Sequence, residues 1–250
     1  MANKHADLRA LFSAIANSIR NKTDNTGTII ADNFPDEIDA IQTGGGGFPN
    51  GTEWNQSNIT SGILCPLYNA NGIWVAGSSN KGLYYSTDGI TWTQSNITSG
   101  SSLTVHNANG IWVVGSYSSG LGLYYSTDGI TWTQSNIISG SFYTIHNANG
   151  IWVAGSSMHD PSGLYYSTDG MTWTQSNMTS GRLRSLYNAS GIWVAGSYDN
   201  GLYYSTDGMT WTQSNITRGD FRSLYNANGI WVAGSYTNGL YYSVSWQPNN

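Results

Sequence analysis

Residues 71–96 decide the fold: Asn71-Gly72-Ile73-Trp74-Val75-Ala76-Gly77-Ser78, a short break, then Leu83-Tyr84-Tyr85-Ser86-Thr87-Asp88-Gly89-Ile90-Thr91-Trp92-Thr93-Gln94-Ser95-Asn96. Gly-Ile-Trp-Val returns around Trp112, Trp152, Trp193 and Trp231, at steps of 38, 40, 41 and 38 residues. A second phrase, Trp-(Thr/Asn)-Gln-Ser-Asn, begins at Trp54, Trp92, Trp132, Trp173 and Trp211. A period of about 40 residues is that of a propeller blade of four strands. Within the first unit, strands are expected at 64–69, 73–78, 83–86 and 91–96, with Asn71-Gly72 as the hairpin signal and Thr87-Asp88-Gly89 as the second turn. Helical spacing is absent from this region.

The sequence therefore predicts an all-β fold, a five-bladed β-propeller of four-stranded blades over 51–250, preceded by a short α-helical N-terminal segment. One such sheet cannot cover both of its apolar faces, so neighbours must do it. An open stack would leave two apolar end faces, and no polar cap repeat ends the chain, which favours a ring. The second phrase appears at Trp54 before any first strand, while the fifth unit is cut short at Val244-Ser245-Trp246. Residues 53–58 are accordingly expected to supply the outer strand of the last blade and remove an exposed edge. Trp246 is the competitor for that place.

Ahead of the repeats, Leu8, Leu11, Phe12, Ile15 and Ile19 form an apolar stripe at helical spacing, and Pro35 opens a second short helix. This divides the chain into a helical attachment or oligomerisation head at 1–43, a Gly-rich linker at 44–50, and the propeller. A head of this size buries little apolar surface alone, so it must dock on a copy of itself, on the propeller or on another protein.

Composition narrows the function. Charged residues make up 9% of the 250, net charge is −5, and 11 Trp and 17 Tyr dominate the aromatic content. No basic stripe is present for nucleic acid, and no apolar run has membrane-spanning length. Met1-Ala2-Asn3-Lys4-His5 does not read as an export signal, so the sequons at Asn58, Asn96 and Asn215 read as parts of the repeated phrase. The lone Cys65 leaves no disulfide framework or Cys-based zinc site, and no cofactor or metal is expected.

The turn Ser-Thr-Asp-Gly-(Ile/Met)-Thr-Trp at 86–92, 126–132, 167–173 and 205–211 resembles the Asp-box of sialidase-type propellers, one residue tighter between Asp and Gly. That resemblance implies a structural role for Asp88, Asp128, Asp169 and Asp207. In blade number and size the plan also looks like the five-bladed tachylectin-type lectins. The head, Ala6-Asp7-Leu8-Arg9 through Asn33-Phe34-Pro35-Asp36-Glu37-Ile38, resembles the N-terminal module of phage and prophage tail-fibre proteins. It implies attachment to other tail proteins through 1–43 and a place in the virion tail, or in the bacterial cytoplasm as a prophage product.

Sialidase-type catalysis needs a Tyr/Glu nucleophile pair and an acid beside its arginines, and glycosidases in general need two facing carboxylates. Here the propeller has one Glu, Glu53, and beyond the four turns only Asp160, Asp199 and Asp220. No enzyme is expected. His106 and His146 stand where other units have Tyr68, Tyr187 and Tyr225, which suggests packing or a channel wall.

Comparing units with one another separates two faces. The first-to-second and third-to-fourth strand turns are nearly constant. The second-to-third loops vary in length, at 79–81, 117–122, 157–162, 198–200 and 236–238, and the loops leading into each first strand vary in composition. Variable loops on a rigid scaffold are the usual place for binding groups. The candidate ligand-binding residues are Tyr117, Phe142, His159, Asp160, Arg182 and Arg184, with Tyr198, Arg218, Asp220, Phe221 and Tyr236. Such a set suits a bacterial surface glycan or a protein. The expected function is a phage tail receptor-binding protein with a lectin-like propeller. The alternatives are a non-catalytic protein-interaction propeller of a tail or bacterial surface assembly and, last, a sialidase-like glycosidase.

Overall fold

The computed structural model describes residues 54–60, 64–100, 104–116, 121–156 and 162–244. The expected head helices and linker lie outside these residues. The described strands build five antiparallel sheets in chain order, all in the unit Ser57–Asn250. The first holds β1 (Leu64–Ala70), β2 (Ile73–Ser78), β3 (Gly82–Ser86) and β4 (Thr93–Gln94). The second holds β5 (Thr104–Ala108), β6 (Ile111–Gly115), β7 (Leu123–Ser126) and β8 (Thr133–Gln134), and the third β9 (Phe142–Ala148), β10 (Ile151–Ser156), β11 (Gly163–Ser167) and β12 (Thr174–Gln175). The fourth holds β13 (Leu183–Ala189), β14 (Ile192–Ser197), β15 (Leu202–Ser205) and β16 (Thr212–Gln213). The fifth has three described strands: β17 (Phe221–Ala227), β18 (Ile230–Ser235) and β19 (Gly239–Val244).

The hairpins are set by two consecutive residues in the left-handed region, Asn71 at φ 52° and Gly72 at 77°, repeated at 109–110, 149–150, 190–191 and 228–229. Positive φ at both central positions is the type I′ turn, whose twist matches the strands it joins. Ser190 takes this conformation at φ 51° where the other four units use Asn. Fourth strands are shorter than the sequence suggests. Asp88 draws residues 90 and 91 into its turn, so ladder pairing begins only at Thr93, opposite Tyr85. Beyond it, Leu83 N–H still reaches the Ile97 carbonyl at 2.9 Å, as Leu123, Leu164 and Leu202 reach Ile137, Met178 and Ile216.

Successive sheets pack face to face, β1 on β5, β5 on β9, β9 on β13 and β13 on β17. Between the first and second sheets lie Val75, Leu83 and Ile97 against Val105, Trp112, Val114 and Trp132. The same layer recurs between the second and third, with Phe142 and Trp152, and between the third and fourth, with Leu183 and Trp193. Burying one such side chain contributes about 1.5–3 kcal/mol, which is why the Trp of Gly-Ile-Trp-Val sits in every unit.

An Asn clasp adds a polar link to the first three joints. Asn96 accepts the Trp132 N–H at 2.9 Å and donates to its carbonyl at 2.8 Å; Asn136 does the same to Trp173, and Asn177 to Trp211. Asn58 makes this clasp on Trp92, 2.8 Å in both directions. The expected closing strand is a different matter. Among the described residues, 54–58 form no strand, β19 is the edge of its sheet, and β17 and β1 build no layer like the four between successive sheets. Identical repeats dictate how neighbours pack and leave open where the row ends.

Candidate functional site

Three backbone bonds tie the variable-loop side to the starts of first strands. Tyr198 N–H donates to the Arg182 carbonyl and Tyr236 N–H to the Asp220 carbonyl, both at 2.8 Å, and Phe142 N–H donates to the Ser116 carbonyl at 2.8 Å. The loops after β14 and β18 therefore lie beside the residues opening β13 and β17. Arginine and tyrosine side chains gather there. The Arg184 guanidinium lies 4.5 Å from the centre of the Tyr143 ring on the third sheet and 5.3 Å from that of Tyr198. Arg182 covers Tyr198 at 4.9 Å, and Arg222 covers Tyr236 at 4.1 Å. Each cation–ring contact is worth about 0.5–1 kcal/mol at an exposed site, enough to hold a long side chain in one pose.

Asp220 is buried and grips Arg222, with Nε at 2.8 Å and Nη2 at 2.6 Å from Oδ2. This bond raises the Arg222 pKa above its usual value. The other carboxylate oxygen, Oδ1, is buried without a hydrogen bond, as is the Arg184 Nε. Both are polar atoms that a bound ligand or water can satisfy.

The structure thus brings Arg182, Arg184, Tyr198, Asp220 and Tyr236 into one neighbourhood across the third to fifth sheets, together with Arg222 and Tyr143. Arg218 is exposed on the loop before β17. Phe142 and Phe221 are a correction: both are fully buried, packed edge-on against Tyr165 at 5.8 Å and Tyr241 at 5.3 Å. Each opens its strand with the side chain turned into the sheet-to-sheet layer, so neither offers a ring to a ligand. Tyr117, His159 and Asp160 lie outside the described residues. Tyr143 was missed as a candidate. The signal was available: it holds the repeat position of Arg184 and Arg222, two residues into its strand.

The opposite face is built of turns. Asp88 Oδ1 accepts the N–H groups of Ile90 and Thr91 at 2.7 and 2.8 Å and the Ser86 hydroxyl at 2.8 Å. Asp128, Asp169 and Asp207 repeat this with residues 130–131, 171–172 and 209–210. Hydrogen bonds from Thr91, Ile90 and Ser86 hold the Asp88 carboxyl down at about 2. At the other three, partial burial pushes upward, and the same bonds together outweigh it. These carboxylates are spent on backbone amides, one turn each, and no group of three acidic, His or Cys side chains fit for a metal occurs among the described residues.

A third feature is a ladder of rings from the first strands. Tyr68, His106, His146, Tyr187 and Tyr225 follow one another at 5.6, 5.1, 5.7 and 5.7 Å between centres. Burial, with the neighbouring His146, pushes the His106 pKa down to about 4, and burial lowers that of His146. Both imidazoles are neutral stacking groups at neutral pH.

No family model and no curated protein matches this chain. Solved structures do. The computationally designed Ika8 protein aligns over 72% of this chain and 57% of its own, at 14% identity and TM-score 0.58. YCF48 bound to D1 peptide aligns over 78% and 69%, at 16% identity and TM-score 0.54. An ancestral GH74 enzyme aligns over 73% of this chain and 31% of its own, at 17% identity and TM-score 0.51. The chain thus spans just over half of the first and under a third of the last. At such identities the likeness is one of fold alone: the described sheets are those of a β-propeller.

Proposed function

We propose that the chain is a phage tail receptor-binding protein, whose propeller blades hold a bacterial surface glycan on the variable-loop face without turning it over. The observation that carries the reading is the Arg–Tyr row: Tyr143, Arg184, Tyr198, Arg222 and Tyr236 on three successive sheets, beside loops that differ between units. Tyrosine rings stack on sugar faces, and guanidinium forks bond hydroxyl or acidic substituents. Binding rather than hydrolysis is favoured because Asp220 is already engaged by Arg222, while the turn carboxylates bond backbone amides. The tail context rests on the head resemblance. Weak single sites would be raised by several copies on one particle.

The test is a glycan array and a bacterial cell pull-down with the full chain, beside Arg184→Ala and Tyr198→Ala. Saturable binding of wild type that falls at least about tenfold in either variant, some 1.4 kcal/mol, supports the reading. Equal binding by all three contradicts it. A second reading, an interaction module for a protein partner, is favoured by the peptide-bound propeller neighbour. Peptide capture by the same face, with a blank glycan array, would select it.

A further inference from the structure

One joint is made four times along this chain. The sheet on one side gives a first-strand ring and the apolar residues of its second and third strands. The next sheet receives them with a Trp and a branched residue. The ring meets the Trp edge-on each time: Tyr68 on Trp112, His106 on Trp152, His146 on Trp193 and Tyr187 on Trp231, with centres 5.9, 5.7, 5.7 and 6.0 Å apart.

The two halves of a fifth joint are left unmatched. On the fifth sheet Tyr225 and Leu240 are 63% and 78% exposed, whereas of the Leu240 counterparts Leu83, Leu123 and Leu164 are fully buried and Leu202 is half-buried. On the first sheet Leu67 is 60% exposed, whereas Val105, Ile145 and Leu186 at its position are at most 8%. Among the described residues the strand edge is unmatched as well. β19 reads Gly239-Leu240-Tyr241-Tyr242-Ser243-Val244, without the charge, proline or bulge that guards an open edge. Asn215, the repeat equivalent of the four clasping asparagines, has no Trp backbone to hold among the described residues.

We propose that these surfaces are the two sides of a contact between copies. The fifth sheet of one chain receives the first sheet of a second chain, head to tail, and residues 54–58 of that second chain lie along β19 as its fourth strand. The occupant follows from the repeat. What covers a Tyr–Val–Leu face here is always the Trp-bearing face of another such sheet, and the first sheet alone has that face to spare. Among the described residues, the fifth and first sheets of one chain build no layer like the four between successive sheets. Asn58, already clasped to Trp92, stands to the first sheet as Asn96, Asn136 and Asn177 stand to the sheets that follow them. In the contact, Tyr225 meets Trp74 of the second copy, and Asn215 clasps the backbone of that copy's Trp54. Because the contact is heterologous, successive copies close a ring or extend a filament.

The test is the mass of the full chain by size exclusion with light scattering, for wild type, Leu240→Glu, Leu67→Glu and an equimolar mixture of the two variants. Both leucines are exposed, so neither change disturbs the fold of one chain; far-UV and near-UV circular dichroism verifies this. The expected result is wild type at two or more chains, a fall in mass of at least twofold in each variant alone, and a one-to-one pair on mixing, since each variant retains the half that the other lacks. A wild type of one-chain mass overturns the proposal, as does a mass that neither variant lowers or a mixture that does not pair.

Discussion

The third and fifth sheets contain the same five residues in the same strand: Gly163-Leu164-Tyr165-Tyr166-Ser167 and Gly239-Leu240-Tyr241-Tyr242-Ser243. In the third sheet Leu164 and Tyr165 are buried, and Leu164 N–H bonds the Met178 carbonyl at 3.0 Å. In the fifth, Leu240 and Tyr242 stand in the open, and no fourth strand among the described residues meets the Leu240 amide. Identical sequence thus gives an identical local conformation and opposite energetics. What stabilises a unit comes from the sheet after it and from its own fourth strand, and among the described residues the fifth unit has neither.

The sharpest way to break this contrast is Gly→Ala at the strand entrance. A Cβ on Gly163, at φ +98°, would overlap the Met178 carbonyl oxygen, which is backbone and cannot give way. On Gly239, at φ +80°, it would meet nothing within 4 Å. Gly163→Ala is expected to cost about 4 kcal/mol and Gly239→Ala only the about 1–2 kcal/mol of the left-handed backbone, read by urea unfolding. Equal losses would mean that the two entrances have equal surroundings. Next in size, Leu164→Ala should cost about 3 kcal/mol through lost burial and the cavity it leaves, while Leu240→Ala, measured dilute, should lie within about 0.5 kcal/mol of wild type.

The ring ladder yields a pH test. An unfolded His titrates near 6.5, and folded His106 near 4, so the native state holds fewer protons between these values. Its contribution is whole above about 6.5 and is lost as pH falls toward 4, amounting to about 2–3 kcal/mol. His106→Tyr, the residue that other units carry there, should flatten that acid limb of the stability curve; an unchanged limb would place the titration elsewhere. Smallest of all, Ser190→Asn restores the residue that tolerates φ 51° and should raise stability by about 0.5 kcal/mol. A loss there would show that Ser190 has a partner of its own.

Much of the fold was legible because a period of 40 residues with Asn-Gly turns leaves few alternatives. The second strand, expected over 73–78, spans Ile73–Ser78, and the first, expected over 64–69, spans Leu64–Ala70. The fourth strand was overread, since an Asp that accepts two backbone amides removes residues from the ladder. Phe142 and Phe221 were read as loop residues because the composition of their loops varies, and variation next to a strand start says nothing about which way the strand's first side chain turns. The meeting of Arg184 with Tyr143 was not legible at all. It depends on how one sheet is set against the next, and that is fixed by the packed Trp layer rather than by spacing along the chain.

Hydrogen exchange of the third-strand amides, on the chain at a dilution where its mass is that of one copy, tests the central contrast most directly. The amides of Leu83, Leu123, Leu164 and Leu202 each bond a carbonyl just beyond the fourth strand, that of Ile97, Ile137, Met178 and Ile216, and that of Leu240 has none described. The expected result is exchange at Leu240 at least about a hundredfold faster than at the other four, as befits an open edge. Protection of Leu240 equal to theirs would contradict the account and place a fourth strand on the fifth sheet within a single chain.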